Sequence, residues 1–308
     1  MAFLNALPGA VAQGLIWGLM AIGVYISYKI LDIADLTVDG SICTGACVCA
    51  VLIGMGVPAW ISILVALVAG ALTGVVTGLL HTLLGIPSIL AGILTQLMLY
   101  TVNLLILKGK SLMYIDPRTN QLLVNQIDNN SAILSLVIIV AITIFLLYKF
   151  FYTEVGLTLK STGDNPDMSR AQGINVSRNK VIGLALANGI VAMAGALLAQ
   201  YKGSANINDG KGAIVIGLAA IFIGLSVSMK IKPNFVVSLI GVVSGGIVYY
   251  IVYNVVILMG LSTDYLKMLS ALIVALFLGV PYLKATYFTK HKDLRPSDLT
   301  NTGGDGDA

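Results

Sequence analysis

The stretch Thr153–Lys180 reads TEVGLTLKSTGDNPDMSRAQGINVSRNK, and it is the only long polar and charged segment between two apolar runs of membrane-spanning length. Apolar sequence dominates the chain before and after it. A polar segment of this size between two spans must lie on one aqueous side of a membrane. We therefore expect it either to perform chemistry there or to contact another protein.

The composition indicates a membrane protein. Of the 308 residues, 57% are hydrophobic and 10% are charged, with a mean hydropathy of +0.94, whereas a soluble domain has about 25% charged residues. So few charges cannot cover a water-soluble surface. The sequence predicts an all-α, polytopic protein with one transmembrane domain at residues 1–283. Residues 284–308 are expected to form a disordered tail, because they are polar and end in GGDGDA.

A helix that crosses a bilayer needs about 20 mostly apolar residues. We predict about nine such transmembrane helices, at residues 7–28, 40–57, 59–84, 86–107, 131–151, 181–201, 212–229, 234–259 and 265–283. The second and seventh runs are short, so a full span, a broken helix and a re-entrant helix all remain open for them.

A weak internal repeat relates the two halves of the chain. Asp39-Gly40 opens the second run, and Asp209-Gly210 precedes the seventh. Four runs on either side of the fifth would then point in opposite directions across the membrane. We predict an inverted repeat of four plus four helices around a connector helix, a plan typical of transporters that open alternately to each side.

The positive charges predict the orientation. Cytoplasmic ends of membrane proteins are enriched in lysine and arginine, and most of these residues fall on the side of Thr153–Lys180. They are Lys29, Lys149, Lys160, Arg170, Arg178, Lys180, Lys230, Lys232, Lys284, Lys290, Lys292 and Arg295. This orientation places the N-terminus outside, the C-terminus in the cytoplasm and Thr153–Lys180 in the cytoplasm.

Several polar side chains are candidates for a translocation path. The segment LDIADLTVDGS, Leu31–Ser41, places three aspartates before the second run, and charge close to the hydrocarbon core faces a cavity or a polar partner. Polar residues within spans either line such a route or hydrogen-bond a neighbouring helix, and both interpretations stay open. The candidates are Asp35, Asp39, Ser41, Gln96, Asn103, Asn188, Asp209 and Asn254.

Local signals predict a short helix inside Thr153–Lys180. Glu154 begins a segment that can continue as helix, and Gly163-Asp164-Asn165-Pro166 then interrupts it. Asp164 or Asn165 can cap a second helix that has Pro166 at its first position. Gly173 is placed to end that helix as its C′ residue. The segment therefore resembles a rigid helix held at the membrane surface more than an active site.

Catalytic motifs are not found in the sequence. Gly210-Lys211 differs from a phosphate-binding loop, because position 205 is alanine and position 212 is glycine. There is no Gly-x-Ser-x-Gly motif and no His-Glu-x-x-His motif, and two histidines are too few for a metal centre. We expect no enzymatic activity, no metal, no cofactor and no nucleic-acid partner for this chain.

Two motifs resemble a known family. Gly163-Asp164-Asn165-Pro166 and Gly173-Ile174-Asn175-Val176 resemble the cytoplasmic coupling segment of ABC-importer permeases of the branched-chain amino acid and ribose/galactose type. Asp35-Leu36-Thr37-Val38 followed by Gly40-Ser41 is similar to the pattern after that family's early helix, with Asp39 as an extra residue. The amino-acid sequences of these segments are most similar to those of permeases associated with import of tryptophan, tyrosine or related amino acids.

The resemblance implies an assembly in a bacterial cytoplasmic membrane. Its expected partners are a second permease copy, cytoplasmic ATPase subunits that bind ATP and Mg²⁺, an external solute-binding protein and membrane lipid. The residues expected to couple to the ATPase are Glu154, Gly156, Gly163, Asp164, Asn165, Pro166, Arg170 and Gly173. The alternative is a stand-alone secondary transporter or channel, which would need intramembrane charge for ion coupling.

Overall fold

The computed structural model describes residues 2–116, 122–228 and 234–258, together with residues 268, 271, 272, 275 and 279. Its helices are α1 (Ala2–Tyr25), α2 (Val38–Gly54), α3 (Ala59–Thr82), α4 (Ser88–Ile106), α5 (Asn129–Phe151), α6 (Glu154–Asp164), α7 (Pro166–Ala171), α8 (Val176–Lys202), α9 (Ala213–Ser228) and α10 (Phe235–Leu258). A π-helical turn, Ile26–Ile30, extends α1.

Six of these helices are long and apolar enough to cross a membrane: α1 with its π-helical turn, α3, α4, α5, α8 and α10. The helices α2 and α9 are apolar but shorter. The first eight predicted runs therefore coincide with helices whose bounds differ from the prediction by a few residues. The ninth run, 265–283, apart from isolated positions, and the tail, 284–308, lie outside the described residues, so the count of nine stays a prediction.

The all-α prediction misses one small element. Strands β1 (Leu112–Tyr114) and β2 (Ser204–Asn206) pair antiparallel, with Met113 opposite Ala205. The pair ties the loop after α4 to the C-terminal end of α8. Three-residue strands are too short to show the alternating hydrophobic pattern by which a strand is recognised in a sequence.

Helices α1 and α8 form the centre of the bundle. Helix α8 packs most extensively against α3 and α2, and α1 packs most extensively against α10, then against α8 and α9. Glycines permit the close approach: a Cβ at Gly74 of α3 would overlap the Leu184 carbonyl, and one at Gly18 of α1 would press on the Val243 backbone. Small residues at such contacts are typical of helix packing in membranes. The first helix of each predicted repeat thus packs against the second and third helices of the other.

The outer helices expose apolar side chains. Leu72 on α3, Leu97 on α4 and Phe145 on α5 are 61%, 65% and 58% exposed. Exposed apolar surface on this scale is unfavourable in water. Lipid acyl chains solvate it, which agrees with the membrane assignment of these helices.

Helix α2 begins halfway along the bundle. Ser41, in its first turn, donates a hydrogen bond to Asn188 in the middle of α8, at 2.6 Å. Near the other end of α2, Cys49 Sγ accepts from Gln200 close to the C-terminus of α8, at 3.5 Å. Helix α2 therefore runs in the same direction as α8, and it starts inside the protein.

Helix α9 also begins inside the bundle and runs the other way. Gly217 lies beside Val24 of α1, and further along α9 the ring of Phe222 meets Tyr28 at a centroid distance of 6.1 Å. The N-terminal ends of α2 and α9 meet, because a Cβ at Gly210 would overlap the carbonyl oxygen of Asp39. Two short helices whose N-terminal ends meet inside the bundle, and which run from there in opposite directions, have the geometry of discontinuous membrane helices.

The two Asp-Gly pairs lie at different positions relative to their helices. Asp39 is the second residue of α2, whereas Asp209 precedes the first residue of α9, Ala213. The inverted repeat stays a prediction. Aspartate and glycine recur close together by local turn preference, so a two-residue match carries little information on register.

Candidate functional site

The segment between α5 and α8 forms two capped helices. The Thr153 side chain accepts from Gly156 N at 3.3 Å and caps α6. The Asn165 side chain accepts from Met168 N at 3.0 Å and caps α7, with Pro166 at the first helical position. Asn165, and not Asp164, is thus the capping residue between the two helices. Gly173 follows α7 with φ of +79°, the left-handed conformation expected of a C′ glycine.

Helix α6 is held tightly against the rest of the bundle. A Cβ at Gly156 would overlap the Phe150 carbonyl at the end of α5, and one at Gly163 would overlap the Ile30 carbonyl at the end of the π-helical turn. Asn179 of α8 donates to Thr162 at 2.9 Å. Motion of α6 would therefore be transmitted to three spanning helices.

One face of α6 and α7 is exposed, and we call it the α6–α7 surface. It combines apolar and charged side chains: Glu154, Val155, Leu157, Lys160, Asp164, Asp167, Met168 and Arg170. Met168 is 60% exposed. Arg170 forms a 3.0 Å ion pair with Asp167, and an exposed pair of this kind adds little stability.

Three of the predicted path residues form a buried hydrogen-bond network. Asn188 Nδ2 donates to Asp35 Oδ2 at 2.6 Å, and Ser41 Oγ donates to Asn188 Oδ1 at 2.6 Å. Asp35 also accepts from Thr37 N at 2.9 Å. The Asp35 side chain is only 2% exposed, so Thr37 and Asn188 take the place of water as its hydrogen-bond partners. The network joins the loop between α1 and α2 to the centre of α8.

Threonines extend this network in a way that the sequence did not suggest. Ser41 also bonds Thr73 of α3 at 2.7 Å, and Thr37 bonds Thr77 at 2.7 Å. Thr77 in turn donates to Thr95 of α4 at 3.0 Å. Threonine is common in membrane helices, where its hydroxyl can bond its own backbone, so its presence alone does not indicate a site.

Asp39 caps the start of α9. Its two carboxylate oxygens accept hydrogen bonds from Gly212 N and Ile214 N, each at 2.9 Å. An aspartate at a helix N-terminus satisfies free N–H groups and interacts favourably with the helix dipole. A residue of the first repeat thus completes a helix of the second.

A cavity of about 340 Å³ lies beside this junction, between α2, α4 and the segment before α9. Asp39, Gln96, Asn103 and Lys211 line it. Asn103 is 1% exposed, and no group among the described residues donates a hydrogen bond to its Oδ1. Three predicted path residues thus share one cavity, and a buried acceptor there is available to a donor.

The comparisons with known proteins decide the family. The family of branched-chain amino acid transport system permease components matches residues 7–280. The chain belongs to this family. Family members are ABC-type permeases that work with ATPase and solute-binding proteins. The chain is therefore an ABC-type import permease for a small solute, and its relatives are transport permeases, not enzymes.

Two curated relatives illustrate the range of the family. The permease is 36% identical over 294 residues to a tyrosine transport system permease protein of Clostridioides difficile, covering 95% of this chain and 97% of that protein. It is 26% identical over 292 residues to a ribose import permease protein of Escherichia coli, covering 89% and 84%. No solved structure matches the permease.

The remaining predicted path residues line two further cavities. Asp209 lies in a cavity of about 470 Å³ and forms a 3.3 Å ion pair with Lys202. Asn254 lies in a cavity of about 300 Å³ at the end of the bundle away from α7, where its Nδ2 donates to the Ala6 carbonyl at 3.0 Å. Tyr250 and Tyr253 line both of these cavities.

The sequence interpretation missed the aromatic residues of these cavities. They are Trp17 on α1 and Tyr249, Tyr250 and Tyr253 on α10. The run YYIVY at 249–253 is the signal that could have found them, because its three tyrosines lie within little more than one helical turn. In the sequence, the run is part of the apolar stretch 234–259.

Proposed function

We propose that the permease forms the translocation path for an amino acid and couples it to a cytoplasmic ATPase through the α6–α7 surface. Similarity to a tyrosine transport system permease over nearly the whole chain supports an amino acid as the solute. ATP and Mg²⁺ would bind to the ATPase, and an external solute-binding protein would deliver the solute. Membership of an ABC permease family argues against a stand-alone secondary transporter or channel.

The observation that carries the coupling proposal is the contact of Gly163 with Ile30. It places the backbone of α6 directly against the end of α1, with no side chain in between to absorb movement. Packed interfaces of this kind switch between discrete arrangements instead of deforming continuously. A partner that moves α7 would therefore move α1, and with it the loop that carries Asp35.

We also propose how the permease is oriented and assembled in the membrane. Lys29, Lys149, Lys160 and Arg178 lie at the α7 end of the bundle, which supports a cytoplasmic α6–α7 surface, an external N-terminus and a cytoplasmic C-terminus. Helix α1 packs against α9 and α10 of the second half, and α8 packs against α2 and α3 of the first half, which supports the inverted repeat. A second copy of the permease would complete the path in a homodimer, surrounded by lipid.

The α6–α7 surface can be tested with a matched pair of variants. Met168→Asp introduces a charge in the proposed ATPase contact, and Tyr114→Asp introduces the same charge on β1, at a residue that is 76% exposed. Neither change disturbs the core. We expect Met168→Asp to reduce co-purification of the ATPase and ATP-driven uptake while the amount of permease in the membrane stays constant, and Tyr114→Asp to reduce neither. Normal complex formation and uptake in Met168→Asp would contradict the proposal.

A further inference from the structure

The cavity of about 470 Å³ between α1, the start of α9 and α10 has an aromatic wall. The rings of Trp17 and Tyr250 are stacked, with centroids 5.8 Å apart and planes at 26°. The Tyr253 ring lies 5.5 Å from Tyr250. Trp17 and Tyr250 are only 5% and 7% exposed, so these rings differ from the aromatic residues that sit at a membrane interface. A wall of packed rings suits a flat, aromatic guest, which gains from stacked and edge-to-face contacts.

Charges of both signs lie in the same cavity. Lys202 and Asp209 form their 3.3 Å ion pair there, with side chains 37% and 23% exposed, and Lys211 lies nearby. A partly exposed pair is weak, so a solute that offers its own charges can replace it at small cost. The two lysines, both exposed, are the groups in this cavity that can pair with a carboxylate. Together these groups complement a zwitterion.

The size and position of the cavity fit a solute in transit. Its volume falls within the range of about 300–1,000 Å³ that is typical of small-molecule sites. Tyr250 and Tyr253 also line the cavity at the end away from α7, and Lys211 also lines the cavity beside Asp39. The aromatic cavity thus shares lining residues with each of the other two.

We propose that this cavity is a selectivity site for α-amino acids with an aromatic side chain. The side chain would lie against Trp17, Tyr250 and Tyr253, with its carboxylate toward Lys202 and Lys211 and its ammonium group toward Asp209. This proposal rests on the amino-acid import proposed above and names the solute class and the residues that distinguish it.

Tryptophan fluorescence of the purified, full-length permease in lipid nanodiscs tests the site directly. The chain has two tryptophans, and the second, Trp60, is 57% exposed on α3, so Trp60→Phe leaves Trp17 as the only indole. L-phenylalanine is the probe, because it does not absorb where tryptophan is excited, and L-alanine is its matched control. We expect a saturable change in Trp17 fluorescence with L-phenylalanine and a much weaker response to L-alanine. An equal response to both, or none to either, would overturn the proposal.

A second variant separates recognition from folding. In the Trp60→Phe background, Tyr253→Leu removes one half-buried ring of the wall, and Tyr114→Leu removes an exposed ring elsewhere. We expect Tyr253→Leu to weaken L-phenylalanine binding by about two- to twelvefold with an unchanged melting temperature, and Tyr114→Leu to have no effect. Unchanged binding in a folded Tyr253→Leu protein would refute the aromatic wall.

Uptake by the complete transporter distinguishes failure of the proposed amino-acid import from failure of the proposed selectivity site. If the permease, assembled with its ATPase and binding protein, imports no amino acid, the proposed function fails. If it imports amino acids while Trp17 fluorescence does not separate L-phenylalanine from L-alanine, only the selectivity site fails.

Discussion

Replacing Gly163 by alanine tests the mechanical link between α6 and α1. The added Cβ would overlap the Ile30 carbonyl oxygen, which belongs to the backbone of the π-helical turn and cannot rotate away. Overpacking of this kind costs about 1–3 kcal/mol, and the better helix propensity of alanine recovers about 1 kcal/mol. The net effect on the stability of the permease is therefore about 0–2 kcal/mol. The overpacking strain itself, about 1–3 kcal/mol, is relieved only if α6 moves away from α1.

The expected result is loss of coupling with little loss of stability. About 1.4 kcal/mol against the coupled arrangement lowers its population roughly tenfold. We expect ATP-driven uptake in proteoliposomes to fall by about that factor, and the ATPase to lose its stimulation by the solute-loaded binding protein. The melting temperature of the permease should fall by only a few degrees, at about 2–4 °C per kcal/mol for a chain of this size class.

A control uses another helical glycine. At Gly189 of α8 the nearest atom to an added Cβ is the Leu67 carbonyl oxygen at 3.2 Å, a tight contact that small shifts of two helices can relieve. We expect Gly189→Ala to retain uptake within about twofold of the wild type, since it carries far less overpacking strain. Wild-type uptake and coupled ATP hydrolysis in Gly163→Ala would refute the view that this backbone contact transmits motion.

Two further predictions concern the polar interior. Asn188→Leu removes the donor to Asp35 and the acceptor of Ser41, while Thr37 and Thr73 keep their bonds to these residues. Each lost hydrogen bond costs about 0.5–1.5 kcal/mol, so thermal denaturation in detergent should show a fall in melting temperature, and an unchanged melting temperature would count against the network. Asp39→Ala removes the cap of α9, worth about 0.5–2 kcal/mol; hydrogen exchange of the Gly212 and Ile214 amides should accelerate, and unaltered protection would show that the cap adds nothing.

Those parts of the permease that depend only on neighbouring residues could be predicted from its sequence. Long apolar runs must be helices in a membrane, because every backbone N–H and C=O needs a partner within its own segment there. The Asn165-Pro166 start and the Gly173 end of α7 follow equally from local rules, since a capping side chain and a left-handed glycine act within one turn. The α6–α7 surface could therefore be placed before the structure was known.

The roles of the polar residues inside the bundle depend on the packing of the helices and could not be predicted from the sequence. Asp39 caps a helix that begins far along the chain, and Asn188 bonds Asp35 from the opposite half. Such contacts depend on how helices pack, and one polar residue in an apolar run looks the same whether it bonds another helix or lines a cavity. The candidates divide into a buried network and three cavities, one with an aromatic wall. This division depends on how helices from both halves of the chain pack, and no local sequence pattern encodes it.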